Sequence, residues 1–184
     1  ITALSDGGSE QRLTTLEGVR RTAVLDKLVT VEGELAFPSP PAAILDLAGT
    51  VSVHDLKVLN AKAVAKGTLS VLCAWRAEGD NTLQSQSVEL PFNQVLDVEG
   101  LSEDCRCLCV AEPVGFTVTQ GEGDAPSALS ATVMLRLRAW RPYQLQCVAD
   151  AFSTQYETDP APQTVPTESL LCALNETTTL TGSG

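Results

Sequence analysis

The sequence predicts an all-β, sandwich-like domain of antiparallel strands, built from two similar units of roughly 60 residues. Between residues 28 and 157 the apolar residues alternate with polar ones or form short β-branched runs, and helix signals are absent. The motif Ala-Trp-Arg occurs at 74–76 and again at 139–141, each time at the end of a strand-like segment. These motifs contain both tryptophans of the chain, so the recurrence indicates an internal repeat.

A segment containing phenylalanine recurs around these motifs. Val88–Gln94 follows the first tryptophan, Val148–Thr154 follows the second, and Val31–Phe37 has the same pattern before the first. After each phenylalanine come a loop and an apolar strand: Leu45–Ala48, Leu108–Ala111 and Leu171–Leu174. We therefore expect a β domain of two units at residues 28–157 and the first strand of a further unit within 158–184. A chain that copies an apolar strand unit is more often a scaffold than a catalyst.

Residues 1–27 are expected to form an N-terminal segment, either a linker or a short helix. Residues 1–8 are polar and Gly-rich, which is typical of a chain end. Apolar residues then recur at a spacing that loosely fits an amphipathic helix capped by Ser9: Leu13, Leu16, Val19, Val24 and Leu28. A strand is the competing interpretation, because threonine-rich segments tolerate one.

The first unit contains four predicted strands: Leu28–Phe37, Ile44–Leu59, Ala63–Arg76 and Leu83–Val98. A proline cluster at 38–41 ends the first of them, because proline cannot donate to a strand ladder. The alternation slips near Asp55, which predicts a β-bulge. Asn60-Ala61 and Glu78–Asn81 are predicted to be turns.

The second unit is predicted to follow the same course, with strands at Cys105–Thr119, Ala128–Arg141 and Tyr143–Tyr156. Pro113 is expected to break or kink the first strand, and Pro142 to end the second. The second strand has one apolar and one polar face, with Val133, Leu135 and Leu137 set against Thr132, Arg136 and Arg138. Residues 158–166 resemble a Pro/Thr-rich linker, and Leu170–Leu174 begins the further unit.

The composition bounds the classes of function. Hydrophobic residues make up 43% of the chain, so it is globular, and the net charge of −11 argues against nucleic acid or an anionic membrane as a partner. No apolar run approaches the ~20 residues that span a bilayer. No signal peptide is recognised, but the chain begins at Ile1, so its leader and compartment stay open.

The six cysteines are expected to be reduced thiols of the core. Cys73, Cys147 and Cys172 lie in apolar runs. Cys105, Cys107 and Cys109 alternate along one strand and face the same way, with neighbours ~6.6 Å apart, too far for an easy disulfide. Long-range disulfides and a metal site are the alternatives, although no Cys-x-x-Cys pair is present. Reduced thiols favour a reducing compartment.

No catalytic, cofactor-binding or metal-binding residue is predicted. His54, the single histidine, lies beside Asp55 on a polar strand face, as a surface residue would. Gly121–Asp124 is more typical of a hairpin loop than of a calcium site. Asn175-Glu176-Thr177 matches the glycosylation sequon, but such short motifs occur by chance.

The two tryptophans have a structural and a functional interpretation. Because Trp75 and Trp140 recur at the same strand end, we expect equivalent structural positions, with Arg76 and Arg141 lying over a ring. A ligand platform is the alternative.

Three segments resemble a known family. Lys62–Val71 has a basic residue, a β run, Lys-Gly and a second β run, and Val88–Gln94 has an acidic-apolar-Pro-Phe pattern. Asp150–Tyr156 is similar to an Asp-Ala-aromatic-Ser-Thr-x-Tyr signature. Together they resemble the SPOCS-domain family, spore-coat-associated proteins of endospore-forming bacteria, from about Val31 to Tyr156. The resemblance implies a non-enzymatic role in assembling the spore envelope, and it brings no catalytic residues.

We therefore expect a structural or protein-interaction module of the spore coat, located in the mother-cell cytoplasm and the coat. Its expected partners are other envelope proteins or copies of itself, bound through exposed strand edges, with no nucleic acid and no membrane insertion. The alternative is an exported surface fibre or adhesin subunit that polymerises by exchange of terminal strands. The strand at Leu170–Leu174 could pair with the edge of its own domain or with a neighbouring copy.

Overall fold

The computed structural model of the chain describes residues 9–79, 82–121, 125–153, 157, 161–164 and 166–169. These residues form six strands and no helix: β1 (Ser9–Leu35), β2 (Pro41–Leu59), β3 (Lys62–Ala77), β4 (Leu83–Asp97), β5 (Arg106–Thr119) and β6 (Ser127–Ser153). All neighbouring strands are antiparallel. The predicted all-β class is confirmed.

The strands form two three-stranded sheets, ordered β1-β6-β5 and β2-β3-β4. Each sheet has one of the Trp-Arg strands, β6 or β3, at its centre. The edge strands of the two sheets also meet, β2 with β5 and β1 with β4. Lys27 of β1, for example, donates a hydrogen bond from Nζ to the carbonyl oxygen of Val95 in β4 at 3.2 Å. The predicted sandwich-like packing is therefore present.

The core lies between the two central strands. In β3 every second residue from Ala63 to Ala77 is buried, and in β6 every second residue from Ser127 to Ala139. The fully buried side chains include Leu69, Val71, Val133, Leu135 and Leu137. Burying a Val or Leu side chain contributes about 1.5–3 kcal/mol, so these two alternating rows hold the sheets together.

The helix expected near the N-terminus is wrong, and the competing strand interpretation is right. β1 is 27 residues long and pairs with β6 along its whole length. The loose helical spacing of Leu13 and Leu16 does not reflect burial on a helix face, because both side chains are exposed. Threonine and valine favour strands, and a continuous partner strand satisfies the backbone of the segment.

The two sheets differ in strand connectivity, so the prediction of two units that follow the same course is wrong. β2, β3 and β4 follow one another along the chain, whereas the sheet of β5 and β6 takes its third strand, β1, from the other end of the domain. β1 thus occupies the place beside β6 that β4 occupies beside β3. Val148–Ser153, which the repeat matches to Val88–Phe92 of β4, instead lies at the end of β6 opposite Ser9–Leu13 of β1.

Pro142 does not end its strand, contrary to expectation. β6 continues to Ser153, and Pro142 lies opposite Val19 of β1. The N–H of Val19 donates to the carbonyl oxygen of Glu168 at 3.0 Å, so it points away from β6. On the other side of β6, β5 starts pairing only at Arg106, opposite Trp140. Pro142 therefore needs no backbone N–H donor toward either neighbouring strand.

The two tryptophans are not equivalent. Trp75 is 1% exposed and packs edge-to-face on Phe37, with ring centroids 5.0 Å apart. In β6 the buried position falls on Ala139, so Trp140 lies half-buried on the outer face. The Ala-Trp-Arg motif is therefore displaced by one residue relative to the core, and a one-residue displacement moves a side chain to the other face of a sheet.

The predicted irregularities are confirmed. The pairing of β2 with β3 shifts between Val53 and Asp55, and that of β5 with β6 shifts after Pro113. Asn60 and Ala61 form the turn between β2 and β3, with Ala61 at a φ of 58°.

A two-stranded ribbon as the candidate interaction site

β1 and β6 extend beyond the rest of the sandwich. Ser9–Arg20 pairs with Arg141–Ser153, whereas β5 pairs with β6 only up to Trp140. We call these two paired segments the ribbon. A two-stranded sheet without further strands is marginally stable in water, so the ribbon is the part of the fold that most needs a partner.

A β-bulge separates the ribbon from the sandwich. Arg21 pairs with Trp140 and Ala23 with Ala139, so Thr22 is the extra residue. The Thr22 hydroxyl lies 3.4 Å from the carbonyl oxygen of Ala139, within hydrogen-bonding distance as donor. Bulges bend a strand and increase its twist, which redirects the ribbon where it leaves the core.

One face of the ribbon continues the core face of β6. Alternation from the buried Leu137 and Ala139 leads to Tyr143, Leu145 and Cys147 on the same side. Leu16 lies opposite Leu145. The exposed fractions are 36% for Leu16, 37% for Tyr143 and 38% for Leu145. These side chains form an apolar stripe, which continues the buried row of β6 beyond the core on the same face of the sheet.

Tyr143 stiffens the ribbon by covering Gly18. The two residues are cross-strand partners, and a Cβ atom on Gly18 would lie 2.6 Å from Cζ of the Tyr143 ring. Only glycine leaves room for the ring, and an aromatic ring laid over a strand glycine replaces the missing side-chain contacts.

The root of the ribbon is basic, although the chain carries a net charge of −11. Arg20 lies opposite Arg141, and Arg21 and Arg106 both lie opposite Trp140 on its two neighbouring strands. Arg141 Nε is 3.4 Å from a carboxylate oxygen of Asp104. The hydrogen bond from Ser102 and the charge of Arg141 outweigh desolvation and hold the pKa of Asp104 below its usual value.

The segment after β6 returns to the ribbon. Ala161, Pro162 and Gln163 line a groove of about 660 Å³ with Leu16 and Cys147. Further along, Pro166 and Glu168 line a groove of about 580 Å³ with Val19, Arg20, Arg21 and Tyr143. Glu168 is held there by the backbone hydrogen bond from Val19.

The residues considered above for catalysis or metal binding form no site in the part of the chain that the structure describes. His54 is exposed on β2, and its neighbour Asp55 pairs with Lys66 at 3.7 Å. Across the ranges that the structure describes, no group of three His, Cys, Asp or Glu side chains is placed to hold a metal ion. Glu122–Asp124, the sequon at Asn175 and Leu170–Leu174 lie outside those ranges.

Five cysteines have free thiols, while Cys172 lies outside the described residues. Cys107 and Cys109 lie opposite Ala139 and Leu137, so they face the core as expected. Burial raises the pKa of each of these two thiols to about 11. Burial would also raise the pKa of Cys105, but hydrogen bonds from Ser102, Thr22 and Arg141 outweigh it and lower that pKa.

Sequence reasoning missed the ribbon, because it assigned the two strands to different parts of the molecule. The helix interpretation separates Leu13 and Leu16 from the sheets, and the repeat makes Phe152 equivalent to Phe92. Phe152 is instead 49% exposed. The signal that could have found the ribbon is the alternation of Tyr143, Leu145 and Cys147 after Pro142, which continues the apolar row of β6.

The fold and the ribbon define an all-β sandwich domain with a projecting strand pair. Residues 42–119, which span β2 to β5, match the family model described as "SipL, SPOCS domain". This segment matches the SPOCS-domain family, so the resemblance is confirmed over residues 42–119. The Asp150–Tyr156 segment lies beyond the match. Neither the curated proteins nor the solved structures gave a match to the chain.

The family match indicates a sporulation-related role. In the described part of the chain, no helix is long and apolar enough to cross a membrane.

Proposed function

We propose that this chain is a non-enzymatic structural module of spore-envelope and coat assembly, which binds other envelope proteins or copies of itself. The observation that carries the proposal is the ribbon, a projecting pair of strands with an exposed apolar stripe in a chain of a sporulation-related family. The expected location is the mother-cell cytoplasm and the spore coat.

The ribbon offers two means of attachment. β1 forms an edge of its sheet among the strands that the structure describes, and backbone N–H groups along that edge can pair with an added strand, which supplies affinity through main-chain hydrogen bonds. The stripe of Leu16, Tyr143 and Leu145 supplies apolar area, and because Leu16 and Leu145 are 36% and 38% exposed, covering each contributes about a third of the ~1.5–3 kcal/mol of a fully buried leucine. Both belong to one continuous surface, as recognition by strand addition requires.

The distribution of charge supports a protein partner. Repulsion from the many acidic residues disfavours nucleic acid, while the arginines at the ribbon root form a local basic patch that would attract an acidic segment. A non-enzymatic role is supported by His54, which lies exposed on β2, as a surface residue would.

The proposal is tested in sporulating cells of an endospore-forming bacterium that make a fluorescent fusion of the chain. The wild-type fusion should collect at the forespore surface. The double substitution L16D/L145D should leave it diffuse in the mother cell, because the apolar stripe no longer accepts a partner. The matched control is Leu72→Asp, which changes a 50% exposed leucine of β3.

Purified variants should keep their cooperative unfolding, so that loss of localisation reports binding. A wild-type fusion that never reaches the forespore contradicts the coat role. Normal localisation of the ribbon variant contradicts the assignment of the ribbon as the binding surface.

The second candidate is an exported fibre or adhesin subunit that polymerises by exchange of terminal strands. The exposed edge of β1 within the ribbon favours it, because such an edge accepts a strand from a neighbour. A fusion found on the surface of vegetative cells would support this candidate over the first.

A further inference from the structure

Two arginines face each other across the strands at the root of the ribbon. Arg20 of β1 is the cross-strand partner of Arg141 of β6, so their side chains leave the same face of the sheet. Alternation places Arg141 between the buried Ala139 and Tyr143 in one row of β6. Like charges directly opposite each other destabilise a sheet. An anion held between the two guanidinium groups would remove this repulsion.

A cleft of about 380 Å³ lies at this pair. Three arginines, a hydroxyl, a glycine and an aromatic ring line it: Arg20, Arg21, Arg141, Thr22, Gly100 and Tyr143. Thr22 is the extra residue of the β-bulge, and bulges redirect neighbouring side chains, which brings Arg21 into the lining beside Arg20. The volume lies within the range of about 300–1,000 Å³ that is typical of small-ligand sites.

Arg141 is held in position by the loop between β4 and β5. Its Nη2 atom donates a hydrogen bond to the hydroxyl of Ser102 and another, at 3.5 Å, to the carbonyl oxygen of Gly100. Its Nε atom lies 3.4 Å from a carboxylate oxygen of Asp104. A side chain that is already fixed loses little conformational freedom when a ligand binds. The guanidinium group of Arg141 is therefore preorganised beside the cleft.

The positive charge of the cleft is not balanced by the carboxylates around it. In the part of the chain that the structure describes, Arg20 and Arg21 are exposed and form no ion pair. Asp104 pairs with Arg141, whereas Glu168 lines an adjoining groove with Arg20 and Arg21 without pairing with either. A guanidinium group donates two parallel hydrogen bonds to a carboxylate or a phosphate, so three of them in one cleft favour an oxyanion.

We propose that the cleft between Arg20 and Arg141 binds an oxyanion, the carboxylate or phosphate group of a ligand, with Arg21 as the third basic residue. A free small anion and an acidic side chain of a bound protein present the same oxygen atoms to these arginines. Tyr143 belongs both to the cleft and to the apolar stripe, so the two surfaces are continuous. Binding of an anion by the cleft does not depend on the sporulation role.

Thermal unfolding of the purified full chain tests the proposal. Without an added anion, Arg20→Gln should raise the midpoint of unfolding, because it removes the repulsion between Arg20 and Arg141. Pyrophosphate should raise the midpoint of the unsubstituted chain well above its value in sodium chloride of equal ionic strength, because a ligand that binds the folded state stabilises it. Arg20→Gln should show no such difference between the two salts.

The matched control is Arg76→Gln, which removes an exposed arginine of β3 and should respond to pyrophosphate as the unsubstituted chain does. This control separates a specific site from the general effect of the net charge, because both substitutions remove one positive charge.

Amide chemical shifts locate the site and identify the source of the oxyanion. Titration with pyrophosphate should move the signals of Thr22 and Gly100 to saturation in the unsubstituted chain and in Arg76→Gln, but not in Arg20→Gln. A tetraglutamate peptide is the second probe. Saturation by pyrophosphate supports the proposal with a free small anion as the source, and saturation by the peptide alone supports it with an acidic protein segment as the source.

Three results would overturn the proposal. Equal responses of the unsubstituted chain, Arg20→Gln and Arg76→Gln would show ionic screening only. Signals that saturate with neither probe would show that the cleft binds no oxyanion. A lower midpoint of Arg20→Gln without an added anion would show that Arg20 already stabilises the protein by itself. None of these results bears on the coat role, which the L16D/L145D variant tests in cells.

Discussion

Gly67 and Phe92 show how single residues set the packing of the first sheet. They are cross-strand partners in β3 and β4, and a Cβ atom on Gly67 would lie 2.3 Å from Cζ of Phe92. The Lys-Gly pattern of the family resemblance therefore has a specific physical cause. The glycine leaves room for the phenylalanine ring to lie over the central strand.

This packing separates the two phenylalanines that sequence reasoning treated as equivalent. Phe92→Ala should lower the free energy of unfolding by about 3–5 kcal/mol, because a 7% exposed ring leaves a cavity. Phe152→Ala should cost less than ~1 kcal/mol, since the side chain is 49% exposed. Urea denaturation of both variants checks this. Similar large losses would mean that Phe152 is covered in solution.

The cysteine triplet should titrate in two steps. Cys105 should ionise below pH 9.0, its ordinary value, because hydrogen bonds stabilise the thiolate. Cys107 and Cys109 should ionise near pH 11, because burial disfavours the charged form. Alkylation rates measured against pH, with each cysteine followed by mass spectrometry, give the three values. Ser102→Ala should raise the pKa of Cys105 and leave that of Cys109 unchanged.

At the scale of elements, the strands of the first sheet could be predicted from the sequence almost residue by residue. Local signals sufficed for the turn at Asn60-Ala61 and the bulge near Asp55, because each is encoded next to the strand it ends or bends, whereas the register shifts near Pro41 and Ile44 carry no such signal. The alternation along β6 likewise identified the buried row from Leu129 to Leu137. The strands and their buried faces could thus be predicted where residues that are close in sequence are also close in space.

The second sheet could not be predicted in the same way, because its pairing is non-local. Whether Leu13 belongs to a strand depends on Val148, its partner more than a hundred residues away. Whether Pro142 ends β6 depends on Val19 and Glu168, which together remove the need for a proline N–H. The ribbon arises from these two long-range pairings. Local patterns show that its residues are apolar, but they do not show that the two segments pair.

At the scale of the whole molecule, β1 has two parts: one is the third strand of the second sheet, and the other extends beyond that sheet as half of the ribbon. Its second half, from Ala23 to Leu35, packs in the core, and its first half forms an edge of the ribbon. Loss of the N-terminal segment would therefore open the core along β6 and remove the candidate site together. The interaction surface is coupled to the stability of the domain through this one strand.

The last prediction concerns the chain after the ribbon. Deletion of residues 160–184 removes the segment that reaches β1 through Glu168, and so should expose the N–H group of Val19. An uncovered strand edge beside exposed leucines associates with other such edges. Light scattering should therefore show a monomer for the full chain and a mass that rises with concentration for the truncated one.

Adding L16D to the truncated chain should reduce this association, because it places a charge in the apolar stripe. A full chain that is oligomeric and becomes monomeric on deletion would show that the segment pairs between copies. An unchanged mass and unchanged stability would mean that the C-terminal segment covers nothing, and that the open edge of β1 is itself the surface presented to partners.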